Sequence, residues 1–332
     1  MIDTKLLLLD GLTGAGKSTT AQRLWLHLER QGYAARWFYE HDVCHPIWRP
    51  DEQARMAEAG ALDPGFVQGV LPMRWRNLAG ECRASEQATI LEGTLFQSTV
   101  GFLLAMNLPD RAIEEHVLAV EETLAGLAPI LVYFRPRDVA QSLQAVFEDR
   151  RADGYAADLI RHIARTPYGR DSGLSDFTGL VRFYEHWISL VERLAARMRM
   201  ANYVLEEGSG DWPSRERRLT EFLGLPPIGE LQDRIDQPSR FIGRYRDAGS
   251  ADELVVAGNE DGLHLDDARR TRLIPARDGG FHIAAMCAEL SFGEESGGVF
   301  QRIELRGNLP GLSPVWIRMS EGGEADAARS GP

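Results

Sequence analysis

Four consecutive leucines, Leu6 to Leu9, run directly into Asp10-Gly11-Leu12-Thr13-Gly14-Ala15-Gly16-Lys17-Ser18-Thr19. A short apolar run of this kind reads as a buried strand. After it, Ala21, Leu24, Trp25 and Leu28 recur at helical spacing. The segment between them has the form Gly-x-x-x-x-Gly-Lys-Ser, so a strand, a tight glycine loop and a helix follow one another within about 30 residues. Gly11, Gly14 and Gly16 carry no Cβ, which lets successive backbone N–H groups turn inward toward an anion. The N-terminus of the helix adds its positive dipole end at the same place. This arrangement predicts a phosphate-binding loop formed by Gly11, Thr13, Gly14, Ala15, Gly16, Lys17, Ser18 and Thr19. Lys17 would reach the β- and γ-phosphates and the Ser18 hydroxyl would hold Mg²⁺. Lys5 and Lys17 are the only lysines among 37 basic residues, so lysine is kept where such a loop needs it.

The remaining strand signals extend the pattern. Ala34 to Tyr39, Ala88 to Leu91, Pro129 to Phe134 and Asn202 to Leu205 are short apolar bursts. Helical periodicities lie between them over Asp110–Leu124, Asp138–Arg151 and Ser175–Met198. Residues 46–85 are mixed, with short helices expected. Alternating strands and helices predict an α/β fold, a five-stranded parallel sheet with helices on both faces. Ligands of such sheets sit at the carboxyl ends of the strands, where Glu40, Glu92 and Arg135 are expected beside the loop. Beyond about Pro227 the bursts become short and closely spaced, with Gly, Asp and Asn between them, which predicts antiparallel strands. The expected organisation is therefore an α/β domain over 1–228, a small antiparallel β-domain over 238–319 and a disordered tail over 320–332.

Composition narrows the functional classes. The formal net charge is −12, which argues against nucleic acid and anionic membranes as partners, since both select basic surfaces. Cys44, Cys82 and Cys287 are few and widely spaced, so no disulfide framework or Cys-x-x-Cys metal site is expected. The apolar run at Leu6 is too short for a signal peptide or a membrane span, and a cytoplasmic location is predicted. The expected partner is a small-molecule substrate, and self-association as a homodimer stays open.

Phosphoryl transfer needs more than a cradle for phosphate. It also needs a group that orients or deprotonates the acceptor hydroxyl, a metal partner, and cations for the transferring charge. Glu40, ending the second strand, is the candidate base, with Asp42 in reserve. Glu92, ending the third, is placed to support Mg²⁺. Arg150 and Arg151, with Arg161, Arg165 and Arg170, suggest an arginine-bearing lid. Trp48, Arg74 and Trp75, with Arg76, fall in the segment expected to roof the acceptor pocket. His41 and the Thr166–Arg170 stretch are candidate specificity elements.

These motifs together resemble the thymidylate kinase and deoxynucleoside kinase group of phosphate-loop kinases over residues 1 to about 226. Leu9 to Thr19 resembles that group's opening strand and loop. Tyr39-Glu40-His41 with Pro46 and Trp48 is similar to its second-strand region, where the acid acts on the acceptor hydroxyl, and this implies that role for Glu40. Leu91-Glu92-Gly93-Thr94 stands at the group's Asp/Glu-Arg motif, with Gly93 in place of a substrate-contacting arginine. Ser209-Gly210-Asp211-Trp212 resembles the final loop where adenine rests, which implies that Asp211 and Trp212 border the nucleotide. The Ile242–Tyr245 and Glu260–Leu263 elements resemble a small β-domain appended to some serine β-lactamase-like proteins. The resemblance implies an ATP- and Mg²⁺-dependent kinase acting on a nucleoside, a nucleotide or a specialised metabolite such as an antibiotic. The alternatives are a nucleotide-dependent switch that signals through the β-domain, or a metabolite-binding protein with a degenerate site.

Overall fold

The computed structural model describes residues 3–59, 63, 65–151, 154–206, 211–229, 235–267, 269–307 and 314–319. The chain divides into two compact units, Met1–Ile228 and Gly229–Pro332. The tail from 320 to 332 and the pair Ser209-Gly210 lie outside the described residues.

Five parallel strands organise the first unit: β1 (Leu6–Gly11), β2 (Ala35–Phe38), β3 (Ala88–Glu92), β4 (Ile130–Arg135) and β5 (Ala201–Glu206). Their spatial order is β2-β3-β1-β4-β5. The chain leaves β1 on one side and later returns to pair β4 on the other, so the strand order reverses at β1. Such a reversal opens a crevice at the carboxyl ends of the strands. Every residue of β1 and β3 is buried, as expected of strands covered on both faces. Leu6 and Leu8 enter the large core, and Leu7 and Leu9, which alternation turns to the opposite face, are equally inaccessible.

Ten helices complete the described part of this unit: α1 (Lys17–Arg30), α2 (Pro50–Ala59), α3 (Leu71–Ala84), α4 (Gly101–Ala105), α5 (Asp110–Leu124), α6 (Val139–Asp149), α7 (Tyr155–Arg165), α8 (Pro167–Asp171), α9 (Phe177–Arg197) and α10 (Trp212–Phe222). Two π-helical turns, Phe66–Val70 and Thr94–Val100, lead into α3 and α4. α5 begins and ends where the Ile113, Val117, Val120 and Leu124 stripe predicts, and those four side chains are buried. α9 buries Leu180, Phe183, Trp187, Leu190, Val191 and Leu194 along one face. Asp138, Thr166, Asp176 and Asp211 cap α6, α8, α9 and α10 by accepting backbone N–H bonds. No helix among the described residues is long and apolar enough to cross a membrane.

The second unit is a closed antiparallel barrel. Its strands are β6 (Gly243–Asp247), β7 (Glu253–Asn259), β8 (Gly262–Leu265), β9 (Arg272–Pro275), β10 (Phe281–Ile283), β11 (Ala288–Ser296), β12 (Val299–Gly307) and β13 (Val315–Arg318). Pairing of β13 with β6 closes the ring and so removes the free edges. Phe241, Phe281, Phe292 and Phe300 cluster with ring centroids 5.0–5.8 Å apart, and Tyr245 Oη donates to the Phe241 carbonyl at 2.7 Å. Side chains thus fill the interior, as in small barrels generally. The sequence pattern does not disclose β9, which carries only Leu273 and Ile274 between an arginine and a proline. It becomes a strand because Leu273 pairs with Leu263 on one side and Ile274 with His282 on the other.

Candidate active site

Strand register brings the predicted groups to one edge. Phe38 lies opposite Leu91 and Leu9 opposite Glu92. Two residues beyond Phe38, Glu40 falls level with Gly93, and Gly11 leaves the sheet opposite Phe134. The glycine loop therefore starts beside both carboxylates.

Close packing explains each glycine of that loop. A Cβ on Gly11 would lie 2.5 Å from the Phe134 carbonyl oxygen, and one on Gly14 would lie 2.0 Å from Val146 Cγ2. On Gly16 it would meet the Trp212 ring at 2.8 Å. All three have φ between +77° and +151°, conformations that residues with a Cβ rarely adopt. Lys17 opens α1, is buried, and its Nζ donates to the Leu12 carbonyl at 3.0 Å. The ammonium is thereby folded back over the loop, above the helix N-terminus. Thr13 and Ala15 are half-buried, and Gly14 and Thr19 are exposed. This donor set, backbone N–H groups with a lysine at a helix start, fits a polyphosphate.

The Ser18 hydroxyl donates to Oε1 of Glu92. Glu92 is wholly buried, and its Oε2 makes no hydrogen bond of good geometry. Burial, and next the Glu40 carboxylate, push its pKa up to about 8; Lys17, the Ser18 hydroxyl and the Trp37 indole act in the opposite sense. At neutral pH Glu92 in this state holds a proton, a condition that a cation beside it would reverse. A hydroxyl and a buried carboxyl with a spare oxygen fit a hard divalent cation that keeps much of its water.

Glu40 is 13% exposed. Its Oε2 accepts from Gln97 Nε2, and its Oε1 lies 3.3 Å from His41 Nε2. Gly93 permits this placement, because a Cβ there would approach Glu40 Oε2 to 2.7 Å. Asp10 in turn holds the segment that carries Gln97. It accepts the backbone N–H groups of Leu95, Phe96 and Gln97 at 2.8, 2.9 and 2.7 Å. Burial raises the Asp10 pKa, and these N–H bonds and Lys17 oppose the rise.

A cavity of about 410 Å³ opens beside Glu40, reaching from Gly11, Leu12 and Thr13 to Phe183, Tyr184 and Trp187. Tyr155, at the start of α7, places its hydroxyl 3.2 Å from Thr13 Oγ1. The Arg150 guanidinium stacks on the Tyr155 ring at 4.5 Å, within reach of both the cavity and the cleft under Thr13–Ala15. Arg151 is exposed and faces a separate cleft with Phe147 and Phe177. Arg161 is taken up by Asp158 at 2.7 Å.

Several predicted residues lie elsewhere. Trp48 and Trp75 are core side chains: Trp48 Nε1 donates to Thr99 Oγ1 at 2.8 Å, and its ring packs behind Phe102. Arg74 is committed to Glu52 and the Ile47 carbonyl. Asp42 is buried and receives the Cys44 N–H at 2.8 Å, a turn-forming role. Neither these four nor Arg151 lines the cavity; apolar burial or local pairing accounts for the four, and Arg151 faces the other cleft. His45, whose pKa burial lowers to about 4, accepts the Ile47 and Trp48 N–H groups and so sets the loop after Glu40. Asp211 caps α10 at Ser214, and Trp212 lies against Gly16 with Arg215 over its ring at 5.3 Å. Arg135 sits at the sheet edge but pairs with Glu192 at 2.8 Å.

Asp10, Gln97, Tyr155, Phe183, Tyr184 and Trp187 were not legible as site residues from sequence. One signal existed for each of the first two: Asp10 is a polar residue near the end of an apolar strand, and Gln97 follows Leu95-Phe96 in the turn after β3. Tyr184 falls in the apolar stripe of the Ser175–Met198 helix, and no local pattern marks Tyr155, Phe183 or Trp187. No protein-family model matches the chain, and no curated protein is similar to it in sequence.

Proposed function

We propose that the first unit is an ATP- and Mg²⁺-dependent phosphotransferase of the phosphate-loop kinase type, moving the γ-phosphoryl group to a hydroxyl of a small molecule. The observation that carries this reading is the Ser18–Glu92 hydrogen bond at the end of a glycine loop, with Glu40 beside it facing a ligand-sized cavity. The strand order β2-β3-β1-β4-β5, with the crevice at β1, supports it.

When bound, Mg·ATP supplies the transferable phosphoryl group and neutralises part of its charge. The loop amides and Lys17 bind the phosphates. Ser18 and Glu92 would hold the cation. Arg150 is placed to balance charge on the transferring group, from a position fixed by Tyr155. Glu40, steadied by Gln97, orients the acceptor hydroxyl and takes its proton.

The test is Mg·ATP consumption against pooled hydroxylated acceptors, with mass spectrometry for a phosphate adduct. Lys17→Ala should lose nucleotide binding. Glu40→Gln should keep it and lose at least about 100-fold in transfer. ATP hydrolysis without any adduct, unchanged in Glu40→Gln, would overturn the reading in favour of a nucleotide-dependent switch.

A further inference from the structure

The cavity beside Glu40 has an uneven distribution of charge. Among the described residues lining it, Glu40 and Arg150 carry the only fixed charges. Arg150 stacks on Tyr155 and also borders the cleft under the glycine loop, so its cation belongs to the phosphoryl-transfer end. The wall supplied by α4, α7 and α9 is mostly apolar (Phe102, Ala105, Leu159, Ile163, Phe183 and Trp187), and its polar members Tyr155, His162 and Tyr184 bring no fixed charge. Trp187 offers only its ring, because its Nε1 is spent on the Phe96 carbonyl at 3.0 Å. His41 is held at Glu40, and the packing around His162 lowers its pKa, favouring the neutral imidazole.

A phosphate dianion pressed against that wall would give up its hydration and find no cation in exchange, and burying an unpaired charge is strongly unfavourable. The Glu40 carboxylate would add repulsion. A flat apolar body loses nothing by the same move, and the rings of Phe102, Phe183, Tyr184 and Trp187 line the cavity to meet it.

We infer that this cavity takes an uncharged alcohol with an apolar, ring-containing body and turns away phosphomonoesters. The inference rests on the kinase reading for what then happens. The alcohol oxygen forms a bond to the γ-phosphorus of ATP as the bond from that phosphorus to the β,γ-bridging oxygen breaks. The hydroxyl proton passes to Glu40, and ADP leaves.

Calorimetric binding of a matched pair tests it with the full chain: 2-naphthylethanol and 2-naphthylethyl phosphate, with ribitol as a ring-free polyol. The expected result is that 2-naphthylethanol binds at least tenfold more tightly than its phosphate ester, with ribitol weaker still. In Leu159→Lys, which adds a cation to the apolar wall, the phosphate ester should gain at least tenfold. Equal or tighter binding of the ester by the unaltered chain overturns the inference. So does tighter binding of ribitol, or failure of 2-naphthylethanol to bind at millimolar concentration. The two readings fail separately. Alcohol binding without phosphate transfer from Mg·ATP sinks the kinase and leaves the pocket assignment standing. Phosphorylation of a hydroxyl on a phosphomonoester does the reverse.

Discussion

Gly93 leaves room for the Glu40 side chain: a methyl group on Gly93 would sit 2.7 Å from Glu40 Oε2 and 3.4 Å from Glu40 Cβ. The residue after the β3 carboxylate thereby decides where the candidate base can stand. A larger side chain there would displace the carboxylate and take its place beside Gln97. The Glu-Gly-Thr sequence is thus a steric condition on the site, in addition to the absence of an arginine.

Gly93→Ala should accordingly move Glu40 and leave the phosphate loop intact. Because φ is +61° at this position, the alanine also costs about 1 kcal/mol in backbone conformation. Phosphate transfer should fall by at least about tenfold, corresponding to about 1.4 kcal/mol in the barrier. The dissociation constant for Mg·ATP should stay within about twofold. Parallel measurement of kcat and nucleotide affinity checks this, and a joint loss of both would refute it.

Gln97→Leu removes the amide that steadies Glu40 and keeps the volume apolar. With its donor gone, the carboxylate loses a charge-assisted hydrogen bond of about 1.5–3 kcal/mol. Transfer should fall by at least about tenfold, corresponding to about 1.4 kcal/mol in the barrier, with Mg·ATP affinity within about twofold. A kcat equal to that of the unaltered protein would remove Gln97 from the site.

Glu92 makes stability fall with pH. Its carboxyl titrates near 4.5 when unfolded and near 8 when folded. Between those values the folded chain keeps a proton that the unfolded chain has released, so stability declines across the window and the penalty is complete above it. In Glu92→Gln that decline should vanish. Without magnesium, the variant's Tm relative to the original should rise from pH 5 to about pH 8 and level off above it. Scanning calorimetry reads this directly. At pH 7 magnesium uptake should also release close to one proton per site, seen as a dependence of binding heat on the buffer's ionisation enthalpy.

Asp10→Asn tests the anchor beneath the site. One carboxylate accepts three backbone N–H groups, and an amide must turn an NH₂ toward at least one of them. Leaving buried donors unpaired should cost about 3 kcal/mol, lowering Tm by roughly 10 °C in a unit of this size. Chemical denaturation with unchanged slope and a reduced midpoint is the expected signature.

The local features of the first unit were written plainly in the chain. Leu6–Leu9 specified a doubly covered strand because four apolar residues in a row leave neither face for water. The Ile113–Leu124 stripe specified α5 to the residue because its spacing matches one helix face. The glycine loop was recognisable from Gly11, Gly14, Gly16, Lys17 and Ser18, since few other roles need those residues at those intervals. The second unit was legible as antiparallel from its turn residues, although β9 was not, because two apolar residues become a strand only when neighbours on both sides supply hydrogen bonds.

Other properties depended on which segments meet. Trp48 and Trp75 looked like pocket residues and are core, while Phe183 and Trp187, which nothing local singled out, are buried in the same core and also line the cavity. The same aromatic stripe serves either purpose, and the packing of distant helices determines which rings keep an open face. Glu40 and Gln97 are 57 positions apart, and Asp10 lies more than 80 residues from the N–H groups it accepts. Sequence alone determined that this chain would build a parallel sheet with a tight glycine loop at the carboxyl end of its first strand, because those are consequences of local spacing and backbone freedom. Tertiary structure alone decided which carboxylate is buried enough for its pKa to rise and which rings line the cavity, because desolvation and long-range contact exist only after the chain has closed on itself.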